Sequence, residues 1–163
     1  MTNIVLKYTI KEEQILREFL LENSISRKTL TRIKFDSDGS IKVNGREENV
    51  RYLLKKNDIV EITLPSENFS EFVRFIDKPI EIVYEDAYFL IVNKEFNLPS
   101  IPSRNAEDES LLERVNYYFR EKNINSIPHI VTRLDKNTSG LVLIAKHRHI
   151  HALFSNVEID KYY

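Results

Sequence analysis

The sequence predicts an α+β fold built in two parts, and three observations carry that prediction. Residues 11–35 hold two apolar patterns of helical period. Residues 41–64 alternate apolar and polar side chains like paired strands, and a second set of strands around a capped helix begins only after residue 78. With 163 residues the chain can form two small domains and bury a core.

In residues 11–23, KEEQILREFLLEN, the residues Ile15, Leu16, Phe19 and Leu20 share one helical face. Ser24, Ile25 and Ser26 interrupt it, and Ser26 is the expected N-cap of a second helix, RKTLTRIKF, whose Leu30 and Ile33 face inward. Ile41 and Val43 alternate with polar residues ahead of Asn44 and Gly45, a strong hairpin turn signal. IVEITL, residues 59–64, is a further strand that Pro65 ends. Residues 66–78 read as a partly ordered linker, since Phe69, Phe72, Val73 and Phe75 need burial.

The second part opens with IEIVYED and YFLIVNK, two strands around the acidic corner Glu85 and Asp86. Prolines and polar residues make 96–109 a loop. Ser110 and Glu113 have capping-box spacing and open a helix that runs to about Glu121. In VTRLD, residues 131–135, a strand-like period of two puts Arg133 and Asp135 on one side and Leu134 on the other. A polar turn, KNTSG, leads into the buried strand LVLIA, a helix around HRHIHALFSN and a final alternating segment, VEIDKYY.

Hydrophobic content of 42% and charged content of 30% describe a soluble globular protein. No cysteine is present, so disulfides and thiolate metal sites are excluded, which fits a reducing compartment. The N-terminus lacks the apolar core of a signal peptide and no run suits a membrane span, so the expected location is cytoplasmic. Residues 1–65 carry twelve Lys and Arg against ten Asp and Glu; the remainder carry twelve against fifteen. The mild positive bias is concentrated on the second helix and the hairpin, which can serve as a phosphate-binding face or simply as a solvated one.

The stretch ISRKTLTRIKFDSDGSIKVNGREENVRYLLKKNDIVEITLP resembles the small alpha-L RNA-binding domain first named for ribosomal protein S-four. The likeness covers residues 12–65, with Asn57 and Asp58 where the family commonly has Gly-Asp. It implies that Arg27, Lys28, Arg32, Lys34, Lys42 and Arg46 contact RNA phosphates. No run of stacking aromatics is interleaved among them, so shape and phosphate recognition is expected rather than base reading.

RLDKNTSGLVLIAK resembles the catalytic segment of the RluA-type pseudouridine synthases, and IVYEDAYFLIVNKEFNL resembles that family's entry segment. Spacing by itself leaves a plain hairpin open, with Asp135 bonding its own turn. The resemblance implies instead that Asp135 is the essential aspartate, attacking the anomeric carbon of a uridine or removing a sugar proton. It implies that Arg133 pairs with Asp135 and fills the space left by the flipped uridine, and that Tyr163, in Lys161-Tyr162-Tyr163, packs on the target base. Two tyrosines at a strand end also suit a core or sheet edge. Thr132 stands where the family has histidine, and Glu95 where it has proline.

The expected organisation is an alpha-L domain over 1–65, a linker over 66–78 and the N-terminal part of a largely antiparallel synthase domain over 79–163. The family's catalytic domain continues well past its tyrosine. Two readings follow: part of a longer synthase acting on structured RNA, most of all large-subunit ribosomal RNA, or a non-catalytic RNA-binding remnant. The resemblance implies no metal, nucleotide or redox cofactor, and the expected state is a monomer. His147, His149 and His151 are expected at the surface, and Glu85, Asp86, Glu107, Asp108 and Glu109 at a turn and near a helix start.

Overall fold

A computed structural model describes residues 3–36, 38–104 and 108–154. They divide into two compact units, Asn3–Ser66 and a second beginning at Glu67. Both combine helices with antiparallel sheet, in keeping with an α+β class.

In chain order the first unit contains β1 (Val5–Thr9), β2 (Gln14–Ile15), α1 (Leu16–Glu22), α2 (Arg27–Phe35), β3 (Ser40–Val43), β4 (Arg46–Glu47), β5 (Leu53–Leu54) and β6 (Ile59–Thr63). Its main sheet runs β1-β6-β3-β4. Register places Leu6, Val60, Ile62 and Val43 on one face, all buried, and Tyr8 on that face meets Phe19 of α1 edge-to-face at 5.4 Å. Asn44 and Gly45 turn the hairpin with φ of 52° and 84°, the left-handed pair that a tight two-residue turn requires. Asn57 adopts φ 75°, so asparagine does take up the left-handed turn there.

Ser26 caps α2 as expected, accepting the Thr29 N–H at 3.1 Å. The helix expected over 11–23 begins only at Leu16, because Gln14 and Ile15 pair with Leu54 and Leu53 as short strands. The carbonyls of Tyr52 and Val50 accept the N–H groups of Leu16 and Arg17 at 2.8 Å each. A distant loop thus satisfies donors that a side-chain cap would otherwise meet.

The second unit contains β7 (Glu81–Glu85), β8 (Phe89–Lys94), α3 (Leu111–Glu121), β9 (His129–Ile130), β10 (Gly140–Ala145) and α4 (Arg148–Leu153). Its antiparallel sheet runs β7-β8-β10-β9. Leu90, Val92, Val142 and Ile144 pack from the sheet against Leu111, Val115 and Phe119 of α3, with Leu98 closing the core. Residues from 67 to 78 lie against this unit: Phe69 packs on its core and Phe75 sits beneath the Arg120 guanidinium at 4.2 Å. Phe72 does not find the burial expected for it and stays 86% exposed.

The acidic corner is structural. Asp86 accepts the N–H groups of Tyr88 and Phe89 and the Tyr84 hydroxyl, all at 2.7 Å. Glu85 accepts from Lys146 at 2.8 Å and from the Tyr118 hydroxyl at 2.5 Å; burial and then that carboxylate push the Tyr118 phenol up to about 12.

The capping box at the start of α3 is complete. The Ser110 hydroxyl accepts the Glu113 N–H at 3.3 Å, and the buried Glu113 carboxylate accepts the Ser110 N–H at 3.1 Å and pairs with Arg74. Ser110→Ala is expected to destabilise the second unit by about 1–2 kcal/mol, read as a lower denaturant midpoint by circular dichroism.

Candidate active site

The pairing of β9 with β10 ends where Thr132 intervenes. Val131 N–H still donates to the Leu143 carbonyl at 2.8 Å, but Leu143 N–H donates to the Thr132 hydroxyl at 3.1 Å. A side chain thereby takes the place of a ladder bond, and residues 131–135 are not the strand their alternation suggested. Leu134 still packs on the core, while Arg133 and Asp135 stay exposed on the other side, as a period of two would place them. The turn then closes through Thr138 N–H to the Asp135 carbonyl at 3.0 Å.

One group at the end of β8 and one from the segment after it hold this turn. The Ser100 hydroxyl, buried, accepts the Leu134 N–H at 3.1 Å and donates to the Leu134 carbonyl at 2.5 Å. The Lys94 ammonium, 1% exposed, donates to the carbonyls of Leu98 at 2.7 Å, Glu95 at 3.1 Å and Lys136 at 3.4 Å. Burial draws the Lys94 ammonium below its ordinary range, and the carboxylates of Glu95 and Asp135 act against that pull. The residues on either side of Asp135 are therefore both fastened to one segment.

Among the described residues no ion pair joins Arg133 to Asp135, in contrast to the expected pairing. Asp135 acts electrostatically on Lys94. Glu95, in the family's proline position, pairs instead with Arg114 at 2.5 Å. Tyr163 and the whole VEIDKYY segment lie outside the described residues, as does Glu107.

In the first unit Arg27, Lys28 and Lys34 are exposed along α2 and Arg32 is half-buried. Arg46 pairs across from Val43 and so shares the helix-bearing face of the sheet. Lys42 pairs with Glu47 and Glu61 on the opposite face, so the structure does not bring it beside the other cations.

The family described as RNA pseudouridylate synthase matches residues 88–163, which include β8, α3, the turn bearing Asp135, and β10. The uncharacterized RNA pseudouridine synthase YjbO of Bacillus subtilis is 36% identical over 143 residues, covering 88% of this chain and 50% of that protein. Ribosomal large subunit pseudouridine synthase D of Pseudomonas aeruginosa is 30% identical over 141 residues, 85% of this chain and 42% of its own length. An uncharacterized RNA pseudouridine synthase of Mycoplasma capricolum is 34% identical over 165 residues, 93% and 54%. The chain belongs to the RNA pseudouridylate synthase family, RluA type. It spans about half the length of the curated relatives it matches.

Within this pseudouridylate synthase unit, sequence reading missed Lys94 and Ser100 as supports of the turn. Their signal was faint: a lysine ending an apolar strand and a serine between prolines. It also misplaced two histidines. His147 and His149 are buried rather than at the surface, and only His151 of the three is exposed. The charge of His147 reaches Glu67, whose buried carboxylate bonds His129 at 2.9 Å and Arg148 at 3.1 Å. Burial pushes the Glu67 carboxyl up, but the His129 bond, the charges of His147 and His129 and the Arg148 bond together hold it below its ordinary 4.5. No helix among the described residues is long and apolar enough to cross a membrane, and none of their His, Asp and Glu side chains group as three or more around a metal position.

Burial, with His147 adding repulsion, draws the His149 imidazole down to about 4, and its Nε2 has no partner among the described residues. The folded state therefore refuses a proton that the unfolded chain accepts below about pH 6.5. Stability should be full above that value and fall as pH drops toward about 4, by up to about 3 kcal/mol. Glu67 contributes a further loss only below its ordinary 4.5. Denaturant titrations from pH 7 to 4 should show this slope, and His149→Leu should flatten it.

Proposed function

We propose that this protein isomerises uridine to pseudouridine in structured RNA, most of all large-subunit ribosomal RNA, with Asp135 as the essential carboxylate. The observation that carries the reading is the exposed Asp135 on a fastened turn, within a segment that matches the family. In the reaction the bond from uracil N1 to the ribose breaks, the base turns over, and its carbon 5 joins the same ribose carbon while the carbon 5 proton is released and N1 takes up a proton. A carboxylate serves as nucleophile at the anomeric carbon or as base toward a sugar proton.

Arg133, exposed and not paired with Asp135, is the group proposed to occupy the space vacated by the flipped nucleotide, which offsets a few kcal/mol of unstacking. Tyr163 is proposed to pack on the target base. The chemistry calls on no metal, nucleotide or redox cofactor, and a monomer in the cytoplasm suffices for it.

The first unit is proposed to be an alpha-L RNA-binding domain. Arg27, Lys28, Arg32 and Lys34, with Arg46, supply a phosphate-contacting face, and Lys42 supplies a separate contact from the far side of the sheet. The division into Asn3–Ser66 and a following unit supports an RNA grip and a catalytic unit as distinct bodies.

Tritium release from ribosomal RNA labelled at carbon 5 of uracil tests the chemistry. Release should occur with the wild type and fall by at least about a thousandfold in Asp135→Ala. Release that survives this change would remove Asp135 from its role, and RNA binding without release would favour the non-catalytic reading. Arg27→Ala and Arg32→Ala should each weaken RNA binding and reduce the slope of log affinity against log salt by about one, with little effect on the chemical step. An unchanged slope would count against the grip.

A further inference from the structure

We propose that Ser100 is a positioning residue for the Asp135 carboxylate, acting through the main chain of Leu134. This rests on the reading that Asp135 performs the reaction. One buried hydroxyl closes both polar groups of Leu134, accepting its N–H at 3.1 Å and donating to its carbonyl at 2.5 Å. Leu134 immediately precedes Asp135, so its backbone sets where the carboxylate's Cα stands. Residues 133–135 belong to no strand, and no ladder bond does this work for them.

The hydroxyl is itself mounted on a rigid support. The carbonyls of Pro99 and Ser100 accept the N–H groups of Leu111 and Leu112 at 2.8 and 3.0 Å, tying the segment to the first turn of α3. That turn is fixed by the Ser110 and Glu113 capping box. The Leu134 side chain packs on the core and lies 3.4 Å from where a Cβ on Gly140 would stand, so it is confined on the strand side as well. A hydroxyl is the only small group that can both accept and donate strongly here, since alanine does neither and a thiol does both weakly. A displacement of about 1 Å of a reacting group can cost about a hundredfold in rate.

The test uses the full-length protein as wild type, Ser100→Ala, Ser100→Cys and Asp135→Ala. Single-turnover tritium release from a large-subunit ribosomal RNA transcript labelled at carbon 5 of uracil is read at saturating protein, with RNA affinity and Tm measured alongside. Ser100→Ala and Ser100→Cys should slow release by about ten- to a hundredfold while RNA affinity stays within about twofold. Ser100→Cys keeps the shape of the side chain with a somewhat larger terminal atom and leaves no cavity, so it decides the matter if Ser100→Ala does not fold. Release by Ser100→Cys at the wild-type rate, or a loss of rate matched by an equal loss of RNA affinity, would overturn the proposal. If Asp135→Ala still releases tritium, the underlying reading fails instead; if it is silent while Ser100→Cys runs at full rate, only the role of Ser100 fails.

Discussion

The second unit depends on the register of β8 against β10, in which Gly140 stands opposite Lys94. That single pairing places the end of β8 beside the turn that leads into β10. Shifting it by one residue would turn Leu90, Val92 and Lys94 away from α3 and expose Ile91 and Asn93 to the core instead. The apolar alternation on both strands therefore resists any slip. Once it is set, the Lys94 ammonium lies under the Asp135 turn, and the segment it begins carries Ser100 to Leu134.

Three buried charges in this unit, those of Lys94, Glu113 and Glu67, are tolerated because each is met by several partners. Lys94 is surrounded by three carbonyls, Glu113 by Arg74 and the start of α3, and Glu67 by His129 and Arg148. Such arrangements favour one geometry over others, since each partner is lost if the backbone moves. His149 differs, a buried imidazole with an unmatched nitrogen, and it makes this unit sensitive to acid; Arg114 Nε is likewise unmatched among the described residues. The Asp135 turn is thus held at its backbone and exposed at its side chain.

The first unit reaches a firm scaffold by a different route. Its sheet leaves one face polar, with Lys7, Glu61, Lys42 and Glu47 in a row, and packs the other under the helices. Cations on α2 are therefore held on a solvent-facing helix whose apolar side is anchored by Ile33. Asn44 and Asp58 bind one another at 3.0 Å and bring the hairpin turn beside the turn before β6.

What the sequence determined by itself was whatever depends on near neighbours. The hairpin at Asn44 and Gly45, the Ser26 cap, the Ser110 and Glu113 box and the strands of β6, β8 and β10 all follow from contacts within a few residues or from a simple period. The segment containing Arg133 and Asp135 was legible as a chemical motif, and its two-sided placement held even though the strand did not. Tertiary structure alone decided what crosses long stretches of chain. Ser100 reaches Leu134 over 34 residues, Lys94 reaches Lys136 over 42, and His129 reaches Glu67 over 62. The late start of α1, the far-side position of Lys42 and the placing of Lys94 beneath the Asp135 turn have the same origin. A hydrogen bond or ion pair between remote segments leaves no period in either one, so only the folded backbone could bring those partners together.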